Sequence, residues 1–285
     1  MSMGRQASGG LEPARIAETT LRVVAEYENL RYEESGGVAV VTLNRPERLN
    51  SLDDAACAEL RAMWARLRYH DEVRCVILTA EGDRAFSTGV DISGSWKQPS
   101  SPFMVDDPIS AVGPKSNDYW RPVIAAVNGM AAGGAFYLLG EVEFIIASEN
   151  ATFFDPHVSH GMPAVNEPMF MLQRMPLGEV MRMSLMGRHE RMSAQRAFQI
   201  GLVQEVVPLE ELMSTARWCA EAVASAPERL AVEATMKGLW TAQQTTLANA
   251  MNSGVAFLSL AGASEEITEK ARGIKEQTRI EPRIR

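Results

Sequence analysis

The sequence has little from which to build a covalent or metal-bound framework. Its 285 residues include three cysteines, Cys57, Cys75 and Cys219, far apart and without a CxxC pair. An odd, scattered set argues against a disulfide scaffold or a thiolate zinc site and fits a reducing compartment, so the expected location is cytoplasmic. Positive charge is not in excess either. A formal net charge of −8 speaks against a nucleic-acid partner, whose phosphates call for a basic surface. No apolar run reaches the length of a bilayer crossing, and the opening MSMGRQASGGLEPARIAETTLRVV lacks the apolar core of a signal peptide. Residues 1–26 read as a loose arm. Repeats and low-complexity tracts are missing as well. What remains is ordinary core material, 46% hydrophobic and 22% charged, over a length ample for a real core.

The apolar residues are ordered. GGVAVVTLNRP (Gly36 to Pro46) is a strand between breakers. In the next segment Leu52, Ala56, Leu60, Met63, Trp64 and Leu67 recur at helical spacing, with Ser51 and Asp54 as an S-x-x-D capping pattern. RCVILTA (Arg74 to Ala80), RPVIAAVNG (Arg121 to Gly129) and EFIIAS (Glu143 to Ser148) are further strands with continuous apolar character. Such strands, alternating with helical or loop segments, predict an α/β protein whose sheet is covered on both faces. Between two of them lies the Pro-, Ser- and Gly-rich stretch Ser93 to Trp120, and an insertion that long tends to be functional. From Pro168 onward the chain reads mostly helical.

Two glycine-bearing turns stand out. In NGMAAGGAFYLLGEVEF, Gly133 and Gly134 open a helical segment straight after a strand. The first amides of a helix lack internal partners, and glycine lets another molecule approach them without meeting a Cβ. A second strand-to-turn segment, DRAFSTGVDIS, puts Gly89 before Val90 and Asp91. Two such turns at one mouth allow a pair of N–H groups to converge on a single carbonyl oxygen, while close helix–strand packing explains one Gly-Gly pair equally well.

The stretches VVTLNRPERLNSL, VRCVILTAEGDRAFSTGVDI, RPVIAAVNGMAAGGAF, FIIASENATF and LMGRHERMSAQRAFQIGLVQEVVP, in this order, resemble the enoyl-CoA hydratase/isomerase (crotonase) superfamily from about Tyr27 to the C-terminal helices. The resemblance implies a crotonase-like (ClpP/crotonase) spiral of ββα turns over 27–207. A helical C-terminal region, 208–285, would then join subunits into a homotrimer or a dimer of trimers. It implies an acyl-CoA thioester as substrate, with coenzyme A as part of that substrate and no separate cofactor or metal. It places the oxyanion donors at the amides of Val90 and Gly134, beside Gly133. CoA contacts fall on Arg48, Leu49, Thr88, Asp91 and Ile92, with Arg45 as a further phosphate neighbour.

The pattern breaks at the side chains that do the acid and base work. The family's two catalytic glutamates correspond to Tyr137 and His157 here. An imidazole titrates near ~6.5 and a phenol near ~10 when unperturbed, so His157 would act as base and Tyr137 as donor or water holder. In an extended ATFFDPHVSHG, Asp155 lies on the same side as His157 and would orient it. Against these stand a packed or surface histidine and a core tyrosine with a bonded hydroxyl. Glu141, one turn beyond Tyr137, and Glu167, with Asn166 beside it, are the other carboxylate candidates, Glu167 being expected as an exposed loop residue. His157 and His160 lack a third ligand, which argues against a metal. Eight of the sixteen methionines fall between Met162 and Met192 and suit an acyl pocket, a helical core or a subunit seam. Lys270, Arg272 and Lys275 suit a neighbouring subunit's CoA phosphates or a solvated face. Three readings follow: an enoyl-CoA-hydrating lyase, with an isomerase of the same family as a variant; C–C or thioester hydrolysis through His157; and CoA-thioester binding without catalysis.

Overall fold

Side chains of a strand alternate between two faces, and here both faces are apolar. The main sheet runs β1 (Leu30–Ser35), β2 (Val38–Leu43), β3 (Cys75–Ala80), β5 (Val123–Val127), β7 (Phe144–Ser148), β10 (Glu205–Val207), parallel throughout except for β1–β2. The computed structural model describes residues 27–94, 107, 109–260, 269, 272–273 and 281–285. The expected N-terminal arm, residues 95–106 and 108 of the long insertion, Lys270 and Lys275 lie outside the described residues. Gly36 and Gly37, at φ of 60° and 80°, turn the β1–β2 hairpin through the positive-φ pair that a two-residue connection favours.

A second sheet fills the gaps in strand numbering: β4 (Ala85–Ser87), β6 (Met130–Ala132), β8 (Thr152–Phe154) and β9 (Met192–Ser193). Each of β3, β5 and β7 is followed directly by a short strand of this second sheet, which is the repeating ββ step of the expected spiral. One face of the main sheet, with Val41, Val76, Leu78, Ala125 and Ile145, packs into the large cluster shared with α1 (Asp54–Leu67) and α2 (Ala135–Leu139). The other face, with Val40, Ile77, Ile124 and Ile146, is closed by Leu212, Ala216 and Ala220 of α6 (Leu209–Ala224).

Helix α1 buries Ala56, Leu60, Met63, Trp64 and Leu67, the stripe read from its spacing. Its cap is Asp53, which accepts from the Ala56 amide at 2.8 Å, and not Ser51, which is buried two residues earlier. The buried Arg121 guanidinium donates to the carbonyls of Leu67 and Val73, each at 3.1 Å, and so satisfies the far end of α1.

Between the core and the C-terminal helices come α3 (Asn166–Leu172), α4 (Leu177–Met186) and α5 (Ala194–Gln199). The methionine-rich stretch is divided here: Met171, Met175 and Met183 enter the core, whereas Met162, Met169, Met181 and Met186 are exposed. Because α6 covers the sheet, packing sets apart α7 (Arg229–Gln244) and α8 (Leu247–Ser259), which bury few side chains. Glu143 ties α7 to the core by accepting from Trp240 Nε1 at 2.8 Å and pairing with Lys115 at 2.9 Å. No helix among the described residues is long and apolar enough to cross a membrane.

Candidate active site

Two turns form one corner of the site. Leu49 and Asn50 both hold φ of 53°, which doubles the chain back after Pro46 and offers backbone to the next turn. Thr88 N donates to Leu49 O at 3.2 Å, Ser87 Oγ to Asn50 O at 2.8 Å, and Leu52 pairs with Val90 in an isolated bridge. The Arg48–Leu49 turn and the Thr88–Ile92 segment are therefore a single unit. Arg48 and Ile92 are exposed on it. Arg45 and Asp91 are committed inward instead. Arg45 pairs with Asp53 at 2.7 Å and Asp91 at 3.1 Å. Hydrogen bonds from Ser93, then Arg45, hold the Asp91 carboxyl down at about 2, so this carboxylate braces the turn.

Gly89 and Gly134 then press the second turn against this unit. A Cβ on Gly89 would lie 2.3 Å from Gly134 N, and one on Gly134 would lie 2.4 Å from Ile109 Cδ1, 3.1 Å from Gly89 Cα and 3.2 Å from Val90 N. Glycine at both positions permits a backbone-to-backbone approach that any side chain would spread apart. The close packing weighed above is present, and it brings the backbones of the two turns together. The amides of Phe136 and Tyr137 donate to Gly133 O and Gly134 O, while those of Val90 and Gly134 find no acceptor among the described residues. Helix α2 has only five residues, so its summed dipole is slight. The individual N–H groups matter here, where the sequence pattern suggested a helix end.

Next to Gly133 stands His157. A Cβ on Gly133, whose φ is +52°, would meet His157 Cε1 at 3.6 Å. His157 opens a 3-10 turn, His157–His160, so the extended geometry expected for Asp155 and His157 is replaced by a tight turn. Asp155 Oδ1 accepts from the His157 amide at 3.0 Å and lies 2.6 Å from Nδ1. A carboxylate accepts, so Nδ1 carries the hydrogen and Nε2 faces the other way. There it meets Glu167 Oε1 at 3.4 Å. Asp155 is fully buried and its Oδ2 has no partner among the described residues, a cost that cores avoid and functional sites carry.

These neighbours set proton affinities. The Asp155 hydrogen bond raises the His157 pKa against the opposing effect of burial, with Glu167 and Asp107 adding to the rise. Burial raises that of Glu167, partly offset by a backbone hydrogen bond and by His157. The exposure expected for Glu167 is thus corrected: it sits in the first turn of α3, 6% exposed. Tyr137 is 5% exposed, and burial, then its hydrogen bond to Asp107, keeps its hydroxyl protonated. Its ring stacks at a tilt on Phe170, 5.3 Å between centroids.

Glu141 turns away from this group. Its carboxylate accepts from Ser116 N at 2.9 Å and Ser116 Oγ at 3.1 Å, packed against Gly113. It anchors a loop behind the site, because one helical turn beyond Tyr137 already points into the opposite wall. His160 is exposed and separate. His157 is grouped instead with two carboxylates: one ligating atom each from Asp155, His157 and Glu167 lies within 4.8 Å of the others. The 2.6 Å contact is that of a charge-assisted hydrogen bond, and we read the trio as a proton-handling group. Asp107, which also reaches this group, carries no sequence signal: it is one aspartate in a Pro- and Ser-rich stretch.

The sequence matches the enoyl-CoA hydratase/isomerase family over residues 33–280. The (E)-benzylidenesuccinyl-CoA hydratase of Thauera aromatica is 37% identical over 206 residues, 71% of this chain and 78% of that protein. A short-chain-enoyl-CoA hydratase of Clostridium acetobutylicum is 34% identical over 233 residues, 78% of this chain and 87% of the other. The crystal structure of an enoyl-CoA hydratase/isomerase from Mycobacterium paratuberculosis superposes with a TM-score of 0.79 at 34% identity, over 88% of this chain and 97% of that one. The fold expected from sequence, a crotonase-like α/β core with a helical C-terminal region, is the one observed.

Proposed function

The chain belongs to the enoyl-CoA hydratase/isomerase family and processes acyl-CoA thioesters, and from that premise we propose that it hydrates an enoyl-CoA using His157 and Glu167 in place of two glutamates. The observation that carries this reading is the facing pair, Nε2 to Oε1 at 3.4 Å, set beside the corner where the Val90 and Gly134 amides lack an acceptor among the described residues. Water adds through oxygen to the β-carbon while His157 Nε2 takes its proton. The electron pair of the double bond moves onto the thioester oxygen, where the two amides stabilise the enolate. One such donor is worth about 3 kcal/mol. The enolate then takes a proton at the α-carbon from Glu167, whose burial favours its protonated form. Return of the His157 proton to Glu167 resets the pair. The names of the hydratase relatives support this reaction class, and coenzyme A enters as part of the substrate.

The Asp155–His157 hydrogen bond favours one second reading, hydrolysis of a C–C or thioester bond by a water that His157 activates. Assays of crotonyl-CoA hydration and of free CoA release from longer or cyclic acyl-CoA esters separate the two. We expect hydration by the wild type, a fall of about 10²- to 10⁴-fold in His157→Ala, and no CoA release. Release without hydration would establish the hydrolase, and tight CoA binding with turnover of no thioester would leave a binding protein.

Assembly as a homotrimer or dimer of trimers is part of the proposal. The exposed Leu239, Leu247, Met251, Val255 and Leu258 of α7 and α8 support it. So does the largely apolar cavity of about 1030 Å³ beside Met236, Leu239 and Trp240, which none of the site residues line.

A further inference from the structure

A carboxylate that no motif marks lies between the two halves of the acid/base group. Asp107 Oδ2 accepts from the Tyr137 hydroxyl and from Asn166 Nδ2, the latter at 2.8 Å, and its Oδ1 accepts from Ile109 N at 3.0 Å. Three pieces of chain meet on this side chain: α2, the start of α3, and the connection from β4 to β5. Helix α3 begins at Asn166 without a side-chain cap of its own, so its first turn depends on outside contacts for its placement. Glu167 is the next residue. Ile109, 2% exposed, lies with its Cδ1 against Gly134, so the same anchor also seats the residue that covers the amide corner.

We propose that Asp107 is a positioning residue: by holding the Tyr137 hydroxyl and the Asn166 amide it fixes the start of α3 and thereby the reach of Glu167 to His157. The proposal rests on the reading of His157 and Glu167 as the proton-handling pair. Position 137 keeps a tie to a carboxylate in this way, although the carboxylate has moved from the helix to the connection. The pair is faced by Asp155 from the turn after β8, by Tyr137 from α2 and by Asp107 itself, and the Asp107 charge adds to the proton affinity of both His157 and Glu167.

The test compares Asp107→Asn, Asn166→Ala, Glu167→Gln and the double variant Asp107→Asn/Glu167→Gln, measuring kcat, KM and pH profile with crotonyl-CoA. Asp107→Asn should lower kcat by about 10- to 100-fold with KM within about twofold, since misplacement of one reacting group costs that much. Both limbs of its pH profile should move to lower pH. Asn166→Ala, which removes no charge, should lower kcat without moving the limbs, and it stands in if Asp107→Asn fails to fold. The double variant should be no slower than Glu167→Gln alone, because Asp107 acts through Glu167. Multiplied losses in the double variant, or a kcat loss in Asp107→Asn with unmoved limbs, would overturn the proposal. Glu167→Gln at the wild-type rate would sink the pair itself and the proposal with it. An impaired Glu167→Gln beside silent Asp107→Asn and Asn166→Ala would sink the proposal alone.

Discussion

The amide corner and the acid/base group sit side by side and are built on opposite principles. At the corner the atoms we propose to do the work belong to the main chain of Val90 and Gly134. The side chain at position 90 is free to vary so long as Gly89 and Gly134 stay small, since a Cβ on Gly89 would fall 2.3 Å from Gly134 N. In the proposed acid/base group such atoms are side-chain atoms of His157 and Glu167, with Asp155 and Asp107 beside them, drawn from three separate stretches of chain. A fold therefore preserves the first kind of site wherever the backbone path is kept. The second kind can be rewritten one residue at a time, which is how one architecture hosts several reactions.

The comparison can be broken by Gly134→Ala. The Cβ would displace Ile109 Cδ1, the end of a flexible side chain, at little cost, but it would also push on Gly89 Cα and Val90 N at 3.1 and 3.2 Å. The protein should fold, and the two amides should part. We expect kcat to fall by about 10²- to 10³-fold, the cost of losing one donor of an oxyanion pair. Crotonyl-CoA turnover at the wild-type rate in this variant would mean that the corner is packing and nothing more.

A smaller effect sharpens the other half. The Asp155 hydrogen bond is the main cause of the raised His157 pKa. A base must be unprotonated, so activity rises with pH through the His157 limb, and that limb should stand above the ordinary histidine value of about 6.5. Glu167 must carry its proton to act as donor, a form that burial favours, so its ionisation lowers activity as pH rises. The two limbs belong to the coupled pair. Asp155→Asn should move the rising limb to lower pH and cut kcat by about 10- to 100-fold, the usual cost of removing an orienting partner. An unmoved limb in the pH profile of that variant would detach Asp155 from His157.

The same division explains what was legible in the sequence. The strands Val38–Leu43, Cys75–Ala80, Val123–Val127 and Phe144–Ser148 and the buried stripe of α1 follow from local pattern, because burial on both faces and helical spacing are written in consecutive residues. The two glycine turns are legible for the same reason. The contact from Nε2 of His157 to Glu167 spans a 3-10 turn and the entry to α3, and its geometry depends on chain reversal at Gly161, φ 72°. Glu167 reads as an exposed loop glutamate because only the tertiary fold buries it. Glu141 fails in the other direction: helical spacing brings it near Tyr137 in sequence, while the wall it faces belongs to Ser116. Asp107 is invisible because its partners lie 30 and 59 residues away.

The most direct measurement is a crystal structure with an acyl-CoA thioester bound. The thioester oxygen should lie about 3 Å from both Val90 N and Gly134 N, with the β-carbon toward His157 and Glu167. A thioester seated elsewhere, or an oxygen held by one of these amides and not the other, would contradict the account.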